Sequence, residues 1–211
     1  HSTSRRQRQM CIRDRYTTPV QAKLNLILGM NLDIEYIMPA HGIIWKDYIA
    51  DIIETYKDIA TQKAANKAVI VYESVWKHTQ QIAESLAEGF SDADMDVKVY
   101  QLSDTKSSIV MREIMDAKVV CIGSGTYNNV MAPSVAAFLE HIRPCKFKNK
   151  KGLAFAAYGW FNQVAKEIDT RMQQSGIESC HDVINQCYTP SDDQLEDYFN
   201  VAKEIAKKCQ E

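Results

Sequence analysis

Short apolar runs alternate with amphipathic segments from residue 68 to the end of the chain. Apolar runs of this length are typical of buried strands, and apolar positions at helical spacing between them are typical of helices. The pattern predicts strands at 68–72, 95–101, 117–123, 152–157 and 181–188, and helices at 77–90, 107–115, 133–142, 162–174 and 191–208. This βα repeat indicates the α/β class, with a parallel sheet covered by helices on both faces. For five strands we expect the order 2-1-3-4-5, with a switch point between the first and third strands.

A different pattern precedes residue 64. It predicts a helix at 19–30, a short strand at 34–38, a turn at 39–42 and an amphipathic helix at 47–62. The polar, small residues 61–67 then indicate a domain boundary. Residues 1–15 contain five arginines and have no apolar period, so we treat them as a non-native leader. We therefore expect three regions, 1–15, 16–63 and 64–211, and we expect the second to be a fragment of a larger domain.

The charge of the chain argues against nucleic-acid binding. The formal net charge is −2, but the leader is strongly basic, and the rest of the chain carries 20 basic and 26 acidic residues. No apolar stretch approaches the roughly 20 residues that span a bilayer, so we expect no membrane segment. The six cysteines show neither Cys-x-x-Cys nor zinc-site spacing, which favours free thiols and a cytoplasmic protein.

The loop after the first strand has the composition of an anion site. A helix N-terminus leaves backbone N–H groups unpaired and favours negative charge, and Ser74 and Thr79 add hydroxyl donors. The loop lacks the glycines of a Walker or dinucleotide motif, so a terminal phosphate monoester such as that of FMN fits better. Taken alone, Trp76 is more often a packing residue, His78 is as readily solvated, and we expect Glu73 to be solvated. The candidate FMN contacts here are Ser74, Val75, Trp76, Lys77, His78 and Thr79.

Two further loops follow the third and fourth strands. The second offers glycines and polar side chains for a ribityl chain or a polar ring edge, and its candidates are Ser124, Gly125, Thr126, Tyr127, Asn128 and Asn129. The third places aromatic rings around a glycine, where a flat ring could stack, and its candidates are Ala157, Tyr158, Gly159 and Trp160. Each loop alone is compatible with a purely structural role. Together, at one edge of a parallel sheet, they predict an FMN site and no catalytic residue.

Four motifs in order resemble those of flavodiiron proteins. Tyr-Glu-Ser-Val-Trp-Lys-His-Thr (72–79) resembles their Thr/Ser-Met-Trp-x-x-Thr phosphate loop, and Gly-Ser-Gly-Thr-Tyr-Asn-Asn (123–129) resembles their Gly-Ser-Pro-Thr-x-Asn. Ala-Tyr-Gly-Trp (157–160) resembles their Ser-Tyr-Gly-Trp. Upstream, Met-Pro-Ala-His-Gly-Ile-Ile-Trp (38–45) resembles the Pro-x-His-Gly-x-x-Trp that closes their metallo-β-lactamase-like domain. The resemblance covers residues 16–211. The chain departs from the family where Gly125 replaces a proline and where Phe161 and Asn162 replace small residues.

The resemblance implies a specific architecture and function. Residues 64–211 would be a flavodoxin-like FMN domain, and residues 16–63 the tail of a metallo-β-lactamase-like domain. His41 would be an iron ligand in the intact parent, whose other di-iron ligands lie upstream, so we expect no complete di-iron centre in this chain. Electrons would come from rubredoxin or a flavin reductase, and the parent, a head-to-tail homodimer, would reduce dioxygen to water or nitric oxide to nitrous oxide.

Two other functions remain open at this point. The chain could be a free-standing flavodoxin-type electron carrier, although the helical pattern over residues 19–62 argues against it. It could also be an interaction scaffold that has this fold and binds no flavin.

Overall fold

The computed structural model describes residues 17–39 and 42–210, without the side chains of Thr17, Thr18 and Gln210. The leader at 1–15 and His41 lie outside the described residues. The chain forms two compact units, of which one ends at Lys63 and the other begins at Ala64. None of the described helices is long and apolar enough to cross a bilayer.

The first unit contains helices α1 (Thr17–Gly29) and α2 (Ile49–Thr61). The strand predicted at 34–38 is wrong: the structure has an isolated antiparallel bridge, in which Ile37 and Trp45 exchange two backbone hydrogen bonds of 2.9 Å. A strand needs a partner along its length, and within the described part of this segment only Trp45 pairs with it.

The second unit is built on one sheet. Its strands are β1 (Ala65–Glu73), β2 (Asp96–Gln101), β3 (Ala117–Tyr127), β4 (Val130–Met131), β5 (Lys151–Tyr158), β6 (Glu178–Ser179) and β7 (Ile184–Cys187). The parallel order is β2-β1-β3-β5, and both β6 and β7 pair with the far side of β5. The order 2-1-3-4-5 is therefore confirmed, with the switch point between β1 and β3.

The structure corrects two details of the predicted sheet. The fifth strand, predicted at 181–188, is shortened to β7, and β6 lies before the predicted range; four residues separate β6 from β7 where only two separate their partners on β5. The two extra residues cannot stay in the ladder, so the strand is interrupted there. The sequence pattern also missed β4, which turns back antiparallel onto β3.

Helices cover both faces of the sheet, as predicted. Helices α4 (Ser107–Met115), α5 (Pro133–Ile142) and α6 (Val164–Gln174) pack on one face, while α3 (His78–Asp92) and α7 (Asp192–Gln210) pack on the other. Successive side chains of a strand point to opposite faces, so in β1 Val69 packs under the first group and Ile70 under the second. Since both faces are buried, the central strands β1, β3 and β5 have continuous buried runs, whereas β7 alternates between buried and exposed positions.

An ion-pair network lies near the amino end of β1, opposite the edge where ligands bind. Lys67, whose side chain is 7% exposed, donates hydrogen bonds to Glu113 Oε2 at 2.7 Å and to Asp116 Oδ1 at 3.0 Å. Burial by itself would raise the pKa of Glu113, but hydrogen bonds from Lys67 and Arg112 outweigh burial and lower that pKa below its usual value.

Candidate functional site

A cleft of about 460 Å³ opens at the carboxyl ends of β1, β3 and β5. Its position is the one where open α/β sheets bind ligands, because the chain connections diverge on either side of the switch point. Twelve of the sixteen predicted contacts line it, and one residue that was not predicted joins them. The lining residues are Ser74, Val75, Trp76, His78, Thr79, Gly125, Thr126, Tyr127, Ala157, Tyr158, Gly159, Trp160 and Tyr188.

The first wall is the loop 74–77 and the start of α3. These four residues lie outside the strand and helix ladders, and Lys77 takes a left-handed conformation (φ 66°) as the N-cap of α3. The first amides of the helix have no partner within the helix. Thr79 is only 1% exposed, and its hydroxyl forms no hydrogen bond within the described residues. A hydroxyl that lines the cleft without a protein partner among the described residues, beside amides unpaired within the helix, is the arrangement that an anionic ligand would satisfy.

Glu73, the last residue of β1, is buried beneath this loop rather than solvated, so the expectation for it was wrong. Its carboxylate is held by three donors. Oε1 accepts from the backbone N–H of Ser74 and from the side-chain amide of Gln101, both at 3.1 Å, and Oε2 accepts from the hydroxyl of Ser134 at 3.0 Å. These partners compensate the desolvation of the carboxylate, which no periodicity in the sequence could indicate.

The second wall comes from β3 and the turn that follows it. Gly125, Thr126 and Tyr127 line the cleft, but the Ser124 side chain is buried away from it. The Ser124 hydroxyl accepts from the backbone N–H of Ala132 at 2.8 Å and donates to the carbonyl of Gly125 at 2.7 Å, so its hydrogen-bonding capacity is used inside the protein. Burial, followed by the nearby charge of Glu73, raises the pKa of Tyr127, which keeps its phenol protonated.

Three of the predicted contacts do not line the cleft for reasons of backbone geometry. Asn128 and Asn129 form the two-residue hairpin turn between β3 and β4, with φ values of 44° and 66°. A tight hairpin requires positive φ at both positions, which asparagine tolerates. Both side chains are exposed. Lys77 is likewise exposed beyond the loop.

The third wall is aromatic. Tyr158 ends β5 and Gly159 follows it, and two tryptophans of the cleft lining are strongly exposed: Trp160 at 84% and Trp76 of the first loop at 80%. Phe161 does not enter the cleft: it packs partly buried against the core under α6, and its carbonyl accepts from the Thr126 hydroxyl at 3.5 Å. The phenylalanine that replaces a small residue of the family pattern therefore packs outside the cleft lining.

Tyr188 is the lining residue that the sequence reading missed. It follows β7, its backbone N–H donates to the carbonyl of Tyr158 at 2.8 Å, and its ring lies beside Gly159. A Cβ at Gly159 would lie 3.4 Å from that ring, in ordinary van der Waals contact, so the two loops meet at this point. The sequence could have indicated Tyr188, because it is an aromatic residue at the end of the predicted fifth strand and therefore at the same sheet edge as the other loops.

Comparison with known proteins agrees with this geometry. Residues 70–201 match the family model described as Flavodoxin. The anaerobic nitric oxide reductase flavorubredoxin of Pectobacterium carotovorum is 32% identical over 191 residues, which are 90% of this chain and 38% of that protein.

Two solved structures are similar to this chain in three dimensions. The rubredoxin oxygen:oxidoreductase of Desulfovibrio gigas superposes with a TM-score of 0.87 at 30% identity, over 92% of this chain and 49% of that one. The flavodiiron protein of Giardia intestinalis superposes with a TM-score of 0.81 at 25% identity, over 90% and 48%. The chain thus spans less than half the length of each of these proteins. It belongs to the flavodoxin family, in the form that flavodiiron proteins carry.

Proposed function

We propose that residues 64–211 bind FMN in the cleft and relay electrons through it, as the electron-transfer part of a flavodiiron oxidoreductase. The observation that carries this proposal is the meeting of three loops of different chemistry at the switch point. One offers unpaired amides and the unpartnered Thr79 hydroxyl, one offers glycine and polar groups, and one offers aromatic rings. The cleft volume lies within the range of about 300–1,000 Å³ that small-molecule and cofactor sites occupy.

In this proposal, different residues of the chain contact different parts of FMN. Ser74, Thr79 and the amides of residues 75–79 would hold the phosphate, while residues 125–127 would meet the ribityl chain and the polar ring edge. Tyr158, Trp160 and the newly found Tyr188 would flank the ring and exclude water from it. The bound flavin supplies the redox chemistry; the protein orients it and sets its surroundings. The side chains of four predicted contacts do not line the cleft: Lys77, Ser124, Asn128 and Asn129. Their contacts with FMN stay predictions.

The activity of the whole protein is a second level of the proposal. In the intact parent we propose reduction of dioxygen or nitric oxide, with rubredoxin or a flavin reductase as donor and a head-to-tail homodimer as the working form. Residues 16–63 would be the tail of the metallo-β-lactamase-like domain, and His41 a ligand of its iron. The side chains of residues 19–39 and 42–209 do not fit an iron site, since they contain no cluster of three or more metal-ligating groups. No step through iron is therefore assigned to this chain.

The cytoplasm is the proposed location because several described cysteines form no disulfide. These are Cys121, Cys180, Cys187 and Cys209. Disulfide-poor proteins with several free thiols are typical of reducing compartments.

The direct test is a titration of the purified chain with FMN. We expect saturable 1:1 binding, seen as quenched flavin fluorescence and shifted visible absorbance bands, and weaker binding of riboflavin, which lacks the phosphate. If FMN causes neither change up to its solubility limit, the electron-transfer proposal fails, and a flavin-free scaffold would account for the fold. The genomic sequence upstream tests the parentage: a reading frame without a histidine- and carboxylate-rich stretch would contradict it.

A further inference from the structure

The carboxylate of Glu73 joins three separate elements under the cleft. It takes one hydrogen bond from the loop after β1 (Ser74), one from the end of β2 (Gln101) and one from the first turn of α5 (Ser134). Gln101 also donates to the carbonyl of Ser74 at 3.4 Å, so both backbone polar groups of Ser74 are held from below. The loop therefore leaves the strand in a fixed direction.

The start of α5 holds the second wall of the cleft as well. The backbone N–H of Ala132, the residue before α5, donates to Ser124, and the hydroxyl of Ser134 two residues later donates to Glu73. The ends of β1 and β3 are thus both tethered to the start of α5. Because α5 begins with Pro133 and is buried along its inner face, that turn is a rigid support.

Electrostatics alone would disfavour a carboxylate at this place. A buried negative charge is costly to desolvate, and one beneath an anion-binding loop repels the anion. The positive end of the α5 dipole and three donors offset part of that cost. A carboxylate that weakens the local attraction for phosphate contributes to the site through geometry and not through charge.

We propose that Glu73 is a positioning residue, which holds the loop 74–79 in its anion-accepting conformation before any ligand arrives. This inference rests on the proposed FMN binding for its ligand. If the loop were not held, only a fraction of molecules would present the amides and the Thr79 hydroxyl together, and the apparent affinity would fall by that fraction. The part of the ligand affected is the phosphate.

Two substitutions distinguish the positioning role of Glu73 from the effect of its negative charge. In Glu73→Gln the side-chain carbonyl can accept from Ser74 and Gln101, and the amide can donate to the Ser134 hydroxyl, so all three links survive without the charge. In Glu73→Ala all three links are lost. Glu113→Ala is the matched control, because Glu113 is also a partly buried, hydrogen-bonded carboxylate but lies at the opposite end of the sheet.

The experiment uses the full chain with FMN and riboflavin as probes, with folding of each variant checked by circular dichroism. We expect Glu73→Ala to weaken FMN at least about tenfold with riboflavin changed less than about twofold, and Glu73→Gln to bind FMN as tightly as wild type or more tightly. Glu113→Ala should leave the ratio of the two affinities unchanged. An unchanged FMN affinity in Glu73→Ala, or an equal loss of both flavins, would overturn the inference.

Hydrogen exchange of the ligand-free protein gives a readout that does not depend on FMN. The Ser74 amide should exchange at least about tenfold faster in Glu73→Ala than in wild type, with little change in Glu73→Gln. If Ser74 stays equally protected in Glu73→Ala, the loop does not depend on Glu73. Failure of the wild-type chain to bind FMN would instead contradict the proposed function, and exchange would still decide whether Glu73 positions the loop.

Discussion

Replacing Thr79 by valine is the sharpest single test of where the flavin phosphate sits. The two side chains have nearly the same shape, and the Thr79 hydroxyl has no protein partner among the described residues, so the ligand-free protein loses no internal hydrogen bond. With the residue 1% exposed, water replaces the lost donor poorly. The substitution therefore removes one donor to the ligand and little else.

The expected loss follows from the charge of the acceptor. A hydrogen bond to a charged group is worth about 1.5–3 kcal/mol, which corresponds to about 10- to 150-fold in the dissociation constant of FMN. Riboflavin should bind Thr79→Val as it binds wild type. Fluorescence titration with both flavins measures the two constants.

Thr170→Val serves as the control for this test. The Thr170 hydroxyl also sits on a helix and donates to the carbonyl of Lys166 at 2.9 Å, away from the cleft lining. Its substitution should change neither constant. Thr79→Val with FMN affinity intact, or with FMN and riboflavin weakened alike, would refute the assignment of the phosphate to the start of α3.

Three further outcomes follow from the packing and the charges. Gly89→Ala should lower the free energy of unfolding by about 1–3 kcal/mol in urea titrations, because the new Cβ would overlap the carbonyl oxygen of Phe199; a change within error would show that α3 and α7 separate without cost. Glu113 contributes stability above its unfolded pKa of 4.5, and that contribution is lost as the pH falls through its lowered folded pKa. Wild type should therefore lose more stability than Glu113→Gln between pH 6 and the acid range, and parallel curves would contradict this. Residues 17–62 expose many large apolar side chains, so limited proteolysis should cut there before it cuts the second unit, and equal resistance would contradict that expectation.

The sequence predicted the sheet well because burial on both faces leaves a simple signal. Apolar runs in β1 and β3 can only be interior strands when amphipathic helices follow them, and short right-handed crossovers then restrict the strand order. The predictions were wrong where a strand depends on its pairing partners. The segment 34–38 has the composition of a strand but pairs only through Ile37, and the extra residues between β6 and β7 are invisible to a periodicity of two.

For the candidate site, the sequence likewise predicted the position of the loops but not the direction of their side chains. Loops that follow strands of a parallel sheet must meet at one edge, so the sequence alone predicted that the loops at 74–79, 124–129 and 157–160 lie together, and residues of all three line the cleft. It could not give the direction of each side chain. The Ser124 side chain is buried and accepts from the amide of Ala132, and the Tyr188 ring lies beside Gly159, although no contact was predicted for the residues after the fourth helix.

Glu73 shows most clearly what tertiary structure adds. From the sequence it is a charged residue at a strand end, for which solvation is the ordinary expectation. Its three donors come from Ser74, Gln101 and Ser134, of which two are 28 and 61 residues away along the chain. The sequence by itself determined the α/β fold and the edge at which a ligand binds, because both follow from local periodicity and from the connectivity of parallel strands. Only the tertiary structure decided which polar groups face that ligand and which hold the loops from beneath, because the free energy of a buried polar group depends on partners that are distant in sequence.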